Sequence, residues 1–194
     1  MIIIRHRVNK ISDLVSIPSD QGIEIDLRSF DGEIIVEHDP FRNGEKFVDW
    51  ASYFHHKQLV LNVKEDGLEN IIIGILADLK INSYFFLDQS FPSLYKLSKI
   101  MPEVCSTRVS EYESIESALL LKPGWVWFDS HTGNWDYLSK SFDAIRETPI
   151  KTCLVSPELQ RPEYGNEIIE LKSRIGRLSI NFDAVCTKLP DIWN

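Results

Sequence analysis

Residues 22–40, GIEIDLRSFDGEIIVEHDP, alternate apolar and polar positions through Ile23–Leu27, then pass through Phe30-Asp31-Gly32-Glu33 into a second apolar run that stops at Pro40. A period of two predicts a strand with Glu24 and Asp26 on one face. Asp-Gly between two apolar runs is a strong hairpin signal, and proline ends the returning strand. Two readings of the charges stand. Either the two acids and His38 form part of a metal-assisted acid–base site, or they belong to a half-buried strand whose charges face water.

Working outward, similar short runs recur on both sides. Strands are expected at 2–6, 22–28, 59–64, 83–88, 104–109, 124–129, 150–155 and 182–187, leaving aside the short hairpin strand that carries His38. Helical spacing separates most of them. Phe47, Trp50, Ala51 and Phe54 repeat at helical intervals, as do Leu68, Ile72, Ile75 and Leu79. A helix at 90–100 has Ser90 as its cap and Pro92 in its first turn. Ser-Glu-Tyr-Glu at 110–113 reads as a capping box opening a helix over 111–121. Further helices are expected in 134–147 and within 158–175, the latter closed by Gly176. Residues 11–19 hold at most one helical turn.

Eight strands separated by helices call for a parallel sheet and a compact (β/α)8 barrel, an α/β fold. A chain of 194 residues is short for roughly 250 typical of that fold, so helices must be shortened or missing, the first above all. An open doubly wound sheet is the competing topology. The first strand lacks a glycine-rich phosphate loop, which counts against nucleotide binding.

The length suits a single domain spanning 1–194. A net charge of −8 argues against nucleic acid and anionic membrane surfaces as partners and favours a small ligand held locally. Cys105, Cys153 and Cys186 are odd in number, widely spaced and set in apolar runs, so they read as buried free thiols. The run MIIIRHR is too short for a signal peptide or membrane span, and a cytoplasmic protein without membrane insertion is expected. Nothing in the composition indicates an oligomeric state.

In a parallel barrel the C-terminal ends of all strands open onto one face, where active sites lie. His6, Arg7, Glu24, Asp26, Asn62, Lys64, Asp88, Arg108, Asp129, Thr187 and Lys188 fall at such ends. Solvent at strand ends explains Asp129 and Lys188; it explains Glu24-x-Asp26 and Asn62-x-Lys64 less well, because each pair points inward. Arg108 could hold an anion or pair with Glu111 or Glu113. Trp125 and Trp127 share one face, where Trp127 either floors a pocket or packs in the core. His55-His56 reads as a solvated pair, His131 as a rim residue, and Asp88 as an extra ligand or a partner for Lys64.

The His-Arg pair on the first strand, GIEIDLRSFDGEIIVEHDPF, NVK at 62–64 and FDAVCTKLPDIW at 182–193 together resemble the glycerophosphodiester phosphodiesterases. The resemblance runs from first strand to last and implies a (β/α)8 barrel. It implies His6 and His38 as the acid–base pair, and Glu24 and Asp26 as ligands of Mg2+ or Ca2+. Arg7 would hold a phosphate oxygen, and Lys64 would match the lysine two residues after a third-strand metal ligand. Arg108 and Trp127 are expected as substrate contacts from their own positions, not from the resemblance. The substrate would be a small phosphodiester cleaved by hydrolysis or, if a neighbouring hydroxyl attacks, to a cyclic phosphate. The alternative is a catalytically altered barrel that binds a phosphorylated metabolite or a protein. Three departures stand out: Val8 replaces the family's glycine after His-Arg, its P-E-N-T segment is absent, and Asn62 replaces an acid as third ligand.

Overall fold

The computed structural model describes residues 1–162 and 166–193. The strands are β1 (Ile2–Arg5), β2 (Gly22–Phe30), β3 (Glu33–Val36), β4 (Glu45–Lys46), β5 (Gln58–Val63), β6 (Tyr84–Leu87), β7 (Ser106–Val109), β8 (Trp125–Phe128), β9 (Lys151–Val155) and β10 (Ala184–Thr187). The helices are α1 (Ile11–Leu14), α2 (Phe47–Ser52), α3 (Glu69–Asp78), α4 (Phe91–Ser98), α5 (Glu116–Leu121), α6 (Leu138–Ile145), α7 (Glu167–Arg177) and α8 (Pro190–Trp193).

Eight strands run parallel in the order β6-β5-β2-β1-β10-β9-β8-β7, which is the α/β barrel arrangement with clipped helices. Between β6 and β7 the described residues form no ladder; Ser106 Oγ, donating to Phe86 O at 2.6 Å, ties them instead. All eight expected strands form. The first helix is a single turn, α1, as the length of the chain requires.

β3 folds back antiparallel on β2, pairing Leu27 with Val36 and Phe30 with Glu33. The turn residues Asp31 and Gly32 take φ of 54° and 80°, the doubly positive conformation that matches the twist of a two-residue hairpin. The strand ends at Val36, so His38 lies beyond it in a bend.

Alternation sorts the core. Outward residues of β2, β5 and β6 pack with α2, α3 and α4 around Phe47, Trp50, Ile72 and Phe86. Outward residues of β8, β9 and β10 pack with α6 and α7 around Phe128, Phe142 and Ile168. The barrel interior holds Ile4, Val60, Phe85, Trp125, Trp127, Cys153 and Cys186. Phe85 stacks on Trp125 with ring centroids 4.6 Å apart, so aromatic bulk from either side of the β6–β7 seam fills the centre. The three thiols are buried and free, as expected.

Two expected boundaries and one expected environment change. Ser110 does exchange hydrogen bonds with Glu113, its Oγ accepting from Glu113 N at 3.2 Å and donating to Glu113 Oε2 at 2.9 Å. These bonds close a turn, however, and α5 begins only at Glu116. Gly176 lies inside α7, which runs on to Arg177; the part of the expected 158–175 helix at 163–165 is outside the described residues. His56 is not a solvated partner of His55: its Nε2 lies 3.1 Å from Ile17 O and its ring packs 5.5 Å from Phe54. No helix among the described residues is long and apolar enough to cross a membrane.

Candidate active site

Glu24 and Asp26 sit at successive inward positions of β2, each 1 % exposed. The segment after β1 is stitched onto them. Arg7 takes a left-handed φ of 55°, which turns its N–H onto Glu24 Oε2 at 2.7 Å. Val8 N donates to Glu24 O at 2.9 Å, and Asn9 clasps Asp26 twice: Nδ2 to Asp26 Oδ2 at 2.9 Å, and Asp26 N to Asn9 Oδ1 at 3.0 Å. Val8 itself is buried in the outer core beside Trp50, whose Nε1 donates to Val8 O at 3.1 Å. Val8 is thus a packing anchor for the segment.

β5 lies parallel to β2 with Asn62 opposite Asp26. Asn62 Nδ2 donates to Glu24 Oε1 at 3.1 Å, and Lys64 Nζ stands 3.2 Å from Asp26 Oδ1 and 4.0 Å from Asp88 Oδ2. Arg7 Nε lies 3.4 Å from Asp26 Oδ2, and His6 Nε2 lies 3.8 Å from Glu24 Oε2. Around the other side of the mouth, Arg108 bridges Asp88 and Asp129 and has Nε 4.0 Å from Glu113 Oε2. Gln160 Nε2 donates to Asp129 Oδ2 at 2.8 Å.

These side chains enclose a polar cavity of about 170 Å³ whose lining includes His6, Arg7, Glu24, Asn62, Lys64 and Arg108, with Trp127 at its floor. Asp88 and Asp129 line it too. Asp129 is only 1 % exposed, so solvent at a strand end does not explain it. Arg108 meets Glu113 as one alternative had it, but not Glu111, which instead accepts from the N–H groups of His131 and Thr132. His131 stays on the exposed rim beside Tyr112. His38 stands apart from the cavity lining, on the rim beyond β3. Its backbone O accepts from Arg28 Nε at 2.8 Å, and its Nδ1 lies 2.9 Å from Asp39 Oδ1.

Burial sets the titration here. Glu24, buried and with Asp26 beside it, is pushed well above the usual carboxylate range. His6 is lowered to about 4, first by burial and then by the positive charges of Arg7 and Lys188. Arg108 is raised: the flanking Asp88 and Asp129 outweigh its burial. The hydrogen bond from His38 holds Asp39 below its ordinary value, with help from Arg42.

Among the described residues no group of three His, Cys, Asp or Glu side chains is placed to hold a metal ion. The oxygen donors are two carboxylates and one amide. Asn62 Oδ1 and Asp26 Oδ1 are both buried and receive no hydrogen bond, but Asp26 Oδ1 already faces Lys64 Nζ at 3.2 Å. Asn62 Oδ1 is therefore the unpaired acceptor of this set, and a hard cation at Asp26 would displace the lysine. The donor set fits Mg2+ or Ca2+ with less charge than three acids would bring.

Asn9, Gln160 and the functional placement of Asp129 escaped the sequence reading. A lone asparagine two residues past His-Arg carries no periodic signal, and Gln160 reaches the site from a turn after β9.

No family model matches the chain, and no curated protein sequence matches it. Solved structures do. A glycerophosphodiester phosphodiesterase from Thermotoga maritima superposes with a TM-score of 0.68 at 17 % identity, covering 99 % of this chain and 96 % of its own. A glycerophosphoryl diester phosphodiesterase from Parabacteroides distasonis superposes with a TM-score of 0.65 at 13 % identity, covering 96 % of this chain and 82 % of its own. The likeness extends over nearly the whole chain and concerns the fold.

Proposed function

We propose that the protein is a divalent-cation-dependent phosphodiesterase that cleaves a small alcohol phosphodiester of the glycerophosphodiester kind. The observation that carries this reading is the buried Glu24–Asp26–Asn62 oxygen set, with Asn62 Oδ1 unpartnered and Asp26 Oδ1 met by Lys64 Nζ, placed beside His6 and three cationic side chains. Mg2+ or Ca2+ would be held by Glu24, Asp26 and Asn62, and when bound would neutralise charge developing on phosphorus. Arg7, Lys64 and Arg108 hold the phosphate oxygens, and the face of Trp127 receives the carbon skeleton of one alcohol.

His6, kept neutral by its lowered pKa, takes a proton from the attacking oxygen at Nε2. His38 donates a proton to the leaving alcohol; Asp39 accepts from Nδ1–H, which fixes the ring and leaves Nε2 free for the transfer. Attack by water gives hydrolysis, and attack by a neighbouring hydroxyl gives a cyclic phosphate, with the same proton movements. A net charge of −8 disfavours nucleic acid as substrate.

The second reading, a barrel that binds a phosphorylated metabolite without turning it over, draws on two observations. Asn62 is not an acid, and His38 lies outside the cavity lining. A panel of phosphodiesters, assayed with each cation and followed by phosphorus NMR, separates the two. Turnover lost in Glu24→Ala and His6→Ala supports the enzyme. Binding without turnover supports the second reading, and absence of cation binding by calorimetry sinks the first.

A further inference from the structure

The barrel is hydrogen-bonded strand to strand except at the seam between β6 and β7. Outside that seam runs a groove of about 270 Å³, bounded by β7, the start of α4 and the segment entering α5. Gln89, Phe91, Leu94, Thr107, Ser114 and Ser117 line it. Leu87, Asp88 and Arg108 belong both to this groove and to the central cavity, so the two spaces meet at the Asp88–Arg108 ion pair.

Two polar groups in the groove lack partners. Thr107 is 4 % exposed and its hydroxyl makes no hydrogen bond. Gln89 commits its Nε2 to Glu69 Oε1 at 3.1 Å, while its buried Oε1 accepts from nothing. Leaving such groups buried and unpaired is unfavourable, and valine would fill the place of Thr107 without that penalty. The groove's carboxylates, Asp88 and Glu113, are already set against Arg108, so its charge is balanced and it asks for a neutral ligand with hydroxyl groups. The wall formed by Leu94 and the exposed ring of Phe91 suits the C–H face of a ring. A hydroxylated edge and an apolar face together describe a sugar or a cyclitol, and the volume, below the roughly 300–1,000 Å³ of drug-sized pockets, suits a single ring.

We infer that this groove is the subsite for the second alcohol of the diester, and that this alcohol is a polyhydroxylated ring reaching out of the central cavity past Asp88 and Arg108. The substrate assignment rests on the phosphodiesterase reading; the affinity of the groove for a free ring does not.

The test therefore has two arms. In the first, myo-inositol and glucose are titrated into the full chain and followed by amide NMR. Shifts should cluster at 87–89, 106–108 and 114–117, and affinity should fall about tenfold in Thr107→Val and in Ser117→Trp. Ser117 is exposed at the rim of the groove, so tryptophan there fills the space without entering the core. No shifts, shifts elsewhere, or equal affinity in both variants overturns the proposal. In the second arm, wild type and Ser117→Trp are assayed on glycerophosphoinositol and glycerophosphocholine. The variant should lose about tenfold more in kcat/KM on the first than on the second; equal losses or none overturn the assignment of the second alcohol. Turnover of neither compound by wild type refutes the phosphodiesterase reading instead, and the first arm still decides whether the groove binds rings.

Discussion

The proposed chemistry turns on Asn62, which donates to Glu24 Oε1 at 3.1 Å and leaves Oδ1 without a donor. This lets two buried carboxylates coexist at the barrel mouth with no third negative charge. Asn62→Asp would exchange that hydrogen bond for repulsion, while giving a bound cation another charged ligand. We expect the variant to melt at lower temperature in chelator and to bind Ca2+ or Mg2+ about tenfold more tightly by calorimetry. Unchanged affinity would place Asn62 outside the reach of the ion. Glu24 offers the converse test. Its folded-state pKa is raised above the unfolded value by burial and by Asp26. Its contribution to stability is therefore fully present below the unfolded value of about 4.3, and is lost as pH rises through the folded pKa. In Glu24→Gln the new amide can donate to a flipped Asn62 Oδ1 and its oxygen can still accept from Arg7 N. The cation-free variant should melt higher than wild type at pH 8, by an amount that vanishes at pH 4, and should gain nothing from added cation. A variant that melts lower than wild type at pH 8 would show that the charged Glu24 is not a burden on the fold.

Among the elements, the β2–β3 hairpin shows local chemistry deciding register. Gly32 has a φ of 80° and open space where a Cβ would stand, so a substitution there meets a backbone cost alone. Gly32→Ala should lower unfolding free energy by about 1 kcal/mol, and Gly32→Asn by less, because asparagine tolerates the left-handed region. Equal losses in denaturant titrations would mean that the turn relaxes to another type. This hairpin was legible because Asp-Gly and the period of two are both carried by adjacent residues. The strands were legible for the same reason, and the inward placement of Glu24, Asp26, Asn62 and Lys64 followed from alternation. The start of α5 was not. Ser110 Oγ accepts from Glu113 N as in a capping box, but the Glu113 carboxylate takes the Ser110 hydroxyl and Ser110 N goes to the Glu113 backbone O. The bonds therefore close an isolated turn, and the sequence pattern alone does not separate the two. Asn9 and Gln160 were hidden for a different reason: each reaches its acid from an irregular segment, where no period predicts direction. The open seam at β6–β7 depends on pairing between strands, which no single stretch encodes.

For the whole molecule, the arrangement separates charge from its surroundings. Arg7, Lys64 and Arg108 lie against carboxylates at the mouth, while the chain as a whole carries −8. The outer field attracts a divalent cation and repels an anion, and under the proposed function the partly buried cations would act on a diester only at close range. Salt distinguishes the two. Exposed charges more than a Debye length away, about 10 Å at 0.1 M ionic strength and about 30 Å at 0.01 M, are screened first, and the buried pairs are screened least. Raising ionic strength over that range should therefore weaken Ca2+ binding measured by calorimetry, while the KM for a monoanionic diester at saturating cation stays level or falls. The opposite pattern, a KM that climbs steeply with salt, would mean that an exposed positive patch steers the substrate. Three mouth cations already held by Asp26, Asp88 and Asp129 leave little charge free for such a patch.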